Sequence, residues 1–298
     1  MTDATEAEGT DRRLVARVLL AAAAAIGLVV LLVLAVYRWS ELGDSHAYWL
    51  AGQAVVDGRS PYELTTGPQV PFAYQYPPPL AQVLAPMSMV LGTWPFEYAW
   101  LGTMVVCLAW ISGFRPLVFL ALVALLPVSI EFWYRNIHLQ LAVLAILAIR
   151  RWPALFGLGA VVKLSPAVGV VYLAAAGRWR AVAEVIVVIL AIGGISWLLA
   201  PDVWTEFVRT LVARGPADAS GILPIPYVSR VMAAVVLAFI AGRLGGVRGE
   251  ALVFVAIGVG LPTLWWTGFS YFVGLVVWIP DLAADRRARS LGSTPVGA

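Results

Sequence analysis

Long apolar runs separated by short polar segments dominate the chain. A bilayer core requires about 20 apolar residues for an upright helix. The apolar runs predict an all-α, polytopic transmembrane protein with about ten spans, at 14–37, 79–92, 96–113, 116–130, 137–149, 154–176, 181–199, 226–242, 250–266 and 268–280. Four of these runs are shorter than that length. We therefore expect half-helices, or spans that borrow flanking residues, at 79–92, 116–130, 137–149 and 268–280.

Arginine placement predicts the orientation of these spans, because cytoplasmic loops carry an excess of Lys and Arg. Arginines cluster at 12–17, 178–180, 243–248 and 286–289, which favours a multi-pass plasma-membrane protein with a cytoplasmic N-terminus. We expect a disordered cytoplasmic tail at 1–13, one transmembrane domain at 14–282 and a cytoplasmic tail at 283–298. The outer loops are then 38–78 and 200–225. Arg150 and Arg151 do not fit this scheme, because alternation places them outside.

Composition narrows the class of protein further. The 298 residues are 61% hydrophobic and 12% charged, whereas soluble domains carry about 25% charged residues. The single cysteine, Cys107, excludes an intrachain disulfide and a cysteine metal cluster. The net charge of +3 is small and no basic patch is studded with aromatic residues, so we expect no nucleic-acid partner. No phosphate-binding loop appears, which argues against an ATP-driven transporter.

The first outer loop carries the densest group of candidate site residues. Residues 44–57 predict a short surface helix that ends at Gly58. On such a helix Asp44 and Tyr48 lie four residues apart and share a face. Asp44 could act as a general base towards a hydroxyl group. The alternative is a solvated interfacial acid or a helix N-cap.

Aromatic residues follow in the same loop, just before three prolines. Tyr62, Phe72, Tyr74 and Tyr76 could stack on a sugar or a lipid. The alternative is an aromatic belt at the membrane surface, followed by a helix that begins at proline. The belt alone does not explain why the aromatic residues are concentrated in one loop.

Polar side chains inside apolar runs give the remaining candidates. Asn136, His138 and Gln140 open the run at 137–149, and Asn136 and Gln140 would share a helical face. Lys163 lies within another run, three residues before Pro166, which suggests a kink that opens a polar pocket. Ionisable residues within the membrane are costly and usually functional, and a phosphate would suit Lys163. The alternatives are hydrogen bonds between helices for the first group and a snorkelling or ion-paired lysine for Lys163.

With these residues in place, the chain resembles glycosyltransferase family 87, a multi-spanning GT-C-type family that uses polyprenyl-phosphate mannose. The motifs that carry the resemblance cover roughly residues 14–180: Asp44-x3-Tyr48, Gly58-x2-Pro61-Tyr62, Tyr74-x-Tyr76-Pro77-Pro78, Asn136-x-His138, Lys163-x2-Pro166 and Gly177-Arg178-Trp179-Arg180. One departure is residues 264–274, where longer family members often carry a histidine and this chain has none.

The resemblance implies a hexosyltransferase that moves a hexose from a polyprenyl-phosphate donor to a glycan or glycolipid acceptor on the outer face. Mannose is the first candidate for this hexose. It implies Asp44 as the catalytic base of an inverting transfer. Tyr48, Tyr62, Tyr76, Asn136, His138, Gln140 and Lys163 are the expected substrate-binding residues. No acidic cluster demands a divalent metal, and we expect no cofactor and no resident metal. The alternatives are a lipid-linked-sugar flippase or small-solute transporter, and a non-catalytic membrane scaffold.

Overall fold

The computed structural model describes residues 2–36, 43–62, 74–214, 222, 225–262 and 264–292. The regular elements in these residues are helices, in agreement with the predicted all-α class. They are α1 (Thr2–Val36), α2 (Asp44–Val56), α3 (Pro78–Val90), α4 (Thr93–Ile111), α5 (Pro116–Val123), α6 (Leu126–Tyr134), α7 (His138–Arg150), α8 (Leu155–Val162), α9 (Gly169–Ala175), α10 (Trp179–Leu199), α11 (Pro201–Arg214), α12 (Tyr227–Leu244), α13 (Gly246–Val259), α14 (Trp266–Phe269) and α15 (Ile279–Gly292). Short 3₁₀ segments cover Ser165–Val168 and Ser270–Trp278.

Membrane-spanning length is reached by fewer helices than the apolar runs predict. Within the described part of the chain, four segments are long and apolar enough to cross a bilayer: Leu14–Leu34, Trp179–Leu199, Tyr227–Leu244 and Trp266–Ser290. Two bent pairs bring the total to as many as six, α4 with α5 at 120° and α6 with α7 at 112°. The ten predicted spans are therefore not confirmed, and the short runs at 116–130 and 137–149 are parts of bent pairs.

Helical structure also extends into segments assigned to tails and loops. Helix α1 begins at Thr2 and α15 continues to Gly292, so most of 1–13 and the first part of 283–298 are helical. The first outer loop contains α2, and the second contains α11. Residues 63–73, including Phe72, lie outside the described part of the first loop.

Helix α2 packs closely on α3. A Cβ atom at Gly52 would lie 2.6 Å from Ser88 Oγ and 3.1 Å from the Leu84 carbonyl oxygen, so a glycine is needed for this approach. Just after the helix, Gly58 adopts a φ of +66°, a left-handed conformation that favours glycine. The predicted helix and its end at Gly58 are both confirmed.

Two interruptions in the helices bring polar backbone and side chains into the interior. Helix α6 is followed by Arg135 in the left-handed conformation, with φ 54° and ψ 48°, and α7 begins three residues after Arg135, at His138. Helix α8 ends at Lys163, whose backbone is extended, before the 3₁₀ turn that contains Pro166. Irregular backbone at membrane depth is tolerated where protein covers it. Asn136, His138 and Lys163 are all buried, so both interruptions are covered.

Candidate active site

Asp44 is bound by Asn136, a residue of the interruption between α6 and α7. It is the first residue of α2 and keeps a small exposed surface. Its carboxylate accepts a hydrogen bond from the side-chain amide of Asn136. The Asn136 Oδ1 in turn accepts from the backbone N–H of Ile137 at 2.7 Å. Because the amide oxygen is occupied on that side, the NH₂ group faces Asp44 and fixes the carboxylate.

Two tyrosines from different segments complete the surroundings of Asn136. The hydroxyl oxygens of Tyr48 and Tyr76 each lie 3.1 Å from Asn136 Oδ1 and 2.8 Å from each other. The Tyr48 ring also packs on Trp100 with a centroid separation of 4.9 Å, and the Trp100 indole N–H lies 3.4 Å from the Asn136 carbonyl oxygen. The predicted shared face of Asp44 and Tyr48 is confirmed, since both side chains reach Asn136.

A second line of polar contacts reaches the same point from Lys163. The Lys163 ammonium lies 5.3 Å from the centroid of the Tyr76 ring, a cation–π distance. It is 2.8 Å from His138 Nε2, and His138 Nδ1 is 3.1 Å from a carboxylate oxygen of Glu131. The exposed fractions of Glu131, His138 and Lys163 are 0%, 2% and 7%. A buried charge is costly unless it is paired and hydrogen-bonded. Here the Glu131 carboxylate and the Lys163 ammonium are both hydrogen-bonded to His138, which lies between them.

Asp44 is poised to titrate near neutrality. Burial is the main cause and raises its pKa from 3.8 to about 7, with a further upward contribution from the Glu131 carboxylate. The Lys163 ammonium and the Asn136 hydrogen bond act in the opposite direction. A general base works best when its pKa lies near the working pH.

A buried ion pair connects the interruption between α6 and α7 to helix α4. Arg135 bonds to Glu97 on α4, and both side chains are 3% exposed. The same glutamate lies 3.7 Å from His46 Nδ1 on α2. A Cβ atom at Gly43 would lie 2.7 Å from the Arg135 guanidinium, so the entry to α2 passes directly over this group.

Tyr62 supports this group of residues from a neighbouring position. Its buried hydroxyl donates to the Tyr76 carbonyl oxygen at 2.6 Å, and its ring packs on Phe207 of α11. Tyr48 is fully buried and Tyr76 is 9% exposed. These contacts position the loop, and the expectation that the three tyrosines bind sugar or lipid stays a prediction.

Gln140 departs from its predicted geometry. It does not share a helical face with Asn136, because α7 begins only at His138 and Asn136 lies in the interruption before it. The half-buried Gln140 amide instead donates to Thr103 Oγ1 on α4 at 2.9 Å. Its role in substrate binding is a prediction that this contact does not support.

Sequence reasoning left three charged residues of the site unassigned. Glu97, Glu131 and Arg135 each stand as lone charges in apolar surroundings, a pattern that also fits ion-paired structure. Their partners are 38 residues away for Glu97 with Arg135, and seven residues across a bend for Glu131 with His138. Among the described residues, no group of three His, Cys, Asp or Glu side chains could hold a metal ion.

The glycosyltransferase family 87 model matches residues 74–294, about three quarters of the chain. The chain belongs to this family. The match includes Tyr76, Asn136, His138 and Lys163 and begins after Asp44. Family membership therefore covers the Lys163 side of the site, and the role of Asp44 stays a prediction.

Two curated relatives are similar to this family 87 chain. One, from Mycolicibacterium smegmatis (strain ATCC 700084 / mc(2)155), is 33% identical over 188 residues, 53% of this chain and 46% of the relative. The other, from Mycobacterium tuberculosis (strain CDC 1551 / Oshkosh), is 27% identical over 90% of this chain and 75% of the relative. Both are polyprenol-phosphate-mannose-dependent alpha-(1-2)-phosphatidylinositol pentamannoside mannosyltransferases. The match thus spans less than half of the first relative. No solved structure matches the chain significantly.

Proposed function

We propose that this family 87 protein is a membrane mannosyltransferase that takes mannose from a polyprenyl-phosphate donor. The observation that carries the proposal is the meeting of Asp44 and Lys163 through Asn136, Tyr48 and Tyr76. Such a site offers a base and a cation that are linked by these intermediate contacts. Family membership and the names of the two relatives support the donor and favour transfer chemistry over a transporter or a scaffold.

The reaction needs both groups. The acceptor hydroxyl oxygen attacks the anomeric carbon, the bond from that carbon to the phosphate oxygen breaks, and the hydroxyl proton passes to the Asp44 carboxylate. Attack opposite to the leaving group inverts the configuration. The donor phosphate is a singly charged diester and leaves as a monoester with one more negative charge. The Lys163 ammonium stabilises this added charge in a site from which bulk water is excluded.

The acceptor is a lipid-linked glycan on the extracytoplasmic face. Both relatives act on phosphatidylinositol pentamannoside by name, which favours a glycolipid. Asp44 lies ten residues after the first apolar span, Leu14–Leu34, and the arginine pattern favours an outside location for that end of the span. The same pattern supports a cytoplasmic N-terminus, and we propose that the enzyme lies in the plasma membrane.

The decisive experiment is transfer of labelled mannose from polyprenyl-phosphate mannose by purified protein supplied with phosphatidylinositol mannosides. Asp44→Asn should lower the rate by about 10²–10⁴-fold, the usual contribution of a general base. Asp57→Asn is the matched control, since Asp57 follows α2 at its other end and forms an exposed ion pair with Arg59. Equal rates in folded Asp44→Asn and wild-type protein would assign the base elsewhere. No transfer by folded wild-type protein from mannosyl or glucosyl donors would refute the proposal.

A further inference from the structure

Glu131 is a buried acid that the proposed chemistry does not use. It lies on α6, is fully buried, and bonds to His138 twice. One carboxylate oxygen accepts from the His138 backbone N–H at 2.7 Å, and the other lies 3.1 Å from the ring Nδ1. The backbone contact fixes the start of α7. The ring contact acts on the side chain that touches Lys163.

Donor and acceptor rules assign the tautomer of His138. A lysine ammonium can only donate hydrogen bonds, so His138 Nε2, 2.8 Å from Lys163 Nζ, must be the acceptor. The ring proton then lies on Nδ1 and points to the Glu131 carboxylate. An ionised carboxylate only accepts, so the two contacts agree on a neutral, Nδ1-protonated ring. His138 thus joins a negative group to a positive one without carrying charge itself.

We infer that Glu131 is a positioning residue that acts through His138 to hold the Lys163 ammonium at the donor phosphate. The role of Lys163 in this inference rests on the proposed function. The series of contacts from Glu131 through His138 to Lys163 rests on the structure alone. The Glu131 carboxylate selects the tautomer, the tautomer leaves Nε2 free to accept, and that acceptor fixes one N–H of Lys163. The other two N–H groups are then available to the donor phosphate, and the ammonium lies 5.3 Å from the centroid of the Tyr76 ring.

Replacement of Glu131 by glutamine tests this order. A glutamine amide can donate to Nδ1, which allows the proton to move to Nε2 and face the ammonium. The ammonium then loses its acceptor while the packing is kept. Because charge develops on the phosphate only as the bond breaks, kcat should fall more than KM for the donor rises. A purely structural role would lower the amount of folded protein without this split.

A double-mutant cycle with Lys163→Met separates action through Lys163 from an independent effect. Lys163→Met should lower kcat by about 10²–10³-fold, as for loss of one charge-stabilising donor. If Glu131 acts through Lys163, adding Glu131→Gln to Lys163→Met should change kcat by less than about twofold, the scatter for independent sites. If Glu131→Gln lowers kcat by the same factor in the wild-type protein and in Lys163→Met, the inference is overturned. Glu184→Gln, at an exposed pair with Arg180, is the matched control.

The tautomer provides a readout that does not depend on activity. The chain has two histidines, His46 and His138, so ¹⁵N-histidine NMR of the His46→Gln protein reports His138 alone. We expect a protonated Nδ1 and an unprotonated Nε2, lost in Glu131→Gln. A protonated Nε2 in the otherwise wild-type site refutes the inference, whatever the transfer assay gives. If Glu131→Gln does not fold, His138→Gln and His138→Leu replace it in the cycle. Gln keeps an acceptor for Lys163 and should retain more activity than Leu, and equal activities would count against the inference.

Discussion

The state of a single carboxyl group should set the pH dependence of transfer. Burial raises the pKa of Asp44 to about 7, so the group is largely protonated below that pH and ionised above it. A general base must be ionised, and the rate of mannose transfer should therefore rise as pH increases through about 7. The measurement is a pH profile of kcat/KM in detergent. A rate that is flat across this range would contradict the assignment of Asp44.

The hydrogen bond from Asn136 opposes burial and lowers the pKa of Asp44. Asn136→Ala removes that bond, so the midpoint of the pH profile should move upward and the rate at neutral pH should fall. Gln82→Ala is a fitting control, because Gln82 is also a half-buried amide and donates to the Ser196 carbonyl oxygen, at the end of α10. An unchanged midpoint in Asn136→Ala would show that the amide does not act on the base.

Single residues were predictable from the sequence where a polar group broke an apolar pattern. Asn136 and Lys163 stood out because an amide or a charge at membrane depth requires a partner, and Asp44 stood out as an acid in the aromatic-rich first outer loop. The identity of the partner was not predictable. Glu131 contacts His138, which in turn contacts Lys163, and nothing in the spacing of these three residues predicts that series of contacts.

At the level of helices, the buried pair of Glu97 and Arg135 joins α4 to the end of α6. Removing one partner of such a pair leaves a charge in the interior and typically costs about 3–5 kcal/mol. Glu97→Ala should therefore lower the thermal unfolding temperature markedly, and adding Arg135→Met should recover part of the loss. The measurement is thermal unfolding in detergent, followed by tryptophan fluorescence.

An exposed pair supplies the comparison for that experiment. Arg180 and Glu184 lie one turn apart on α10, and Arg180 is almost fully exposed. Glu184→Ala should change stability little, because exposed pairs contribute about 0.2–1 kcal/mol. If Glu97→Ala is no more destabilising than Glu184→Ala, the pair does not hold α4 to the interruption.

Helix type was more predictable than helix extent. The apolar runs identified helices throughout, and Gly58 marked the end of α2. Half-helices were expected at 116–130 and 137–149, but the bends between α4 and α5 and between α6 and α7 were not located, because an apolar sequence has the same composition whether it is straight or bent. Pro127 and the left-handed Arg135 mark the bounds of α6, but proline also begins ordinary spans, and a left-handed arginine leaves no mark in sequence.

The arrangement of the whole molecule in the membrane is testable because Cys107 is its only cysteine. In a Cys107→Ser background, Arg59→Cys should react with an impermeant maleimide on intact cells. The arginine pattern predicts that Arg180→Cys reacts only after permeabilisation, whereas alternation of the four to six segments of spanning length predicts that it reacts on intact cells. Both side chains are exposed, so burial does not limit labelling. Labelling of Arg59→Cys only after permeabilisation would place the candidate site in the cytoplasm.

Asn136 lies in the interruption before α7 and His138, two positions later, is the first residue of α7. Asn136 contacts Asp44, the proposed base, and His138 contacts Lys163, the proposed cation. Any insertion, deletion or rotation of residues 136–138 must move both halves of the proposed site at once. Acceptor activation and donor preference therefore cannot be tuned independently by exchanging loops. Variants with a new sugar specificity should come from substitutions around residues 136–138. Loop exchanges that include these residues should impair acceptor activation and donor binding together.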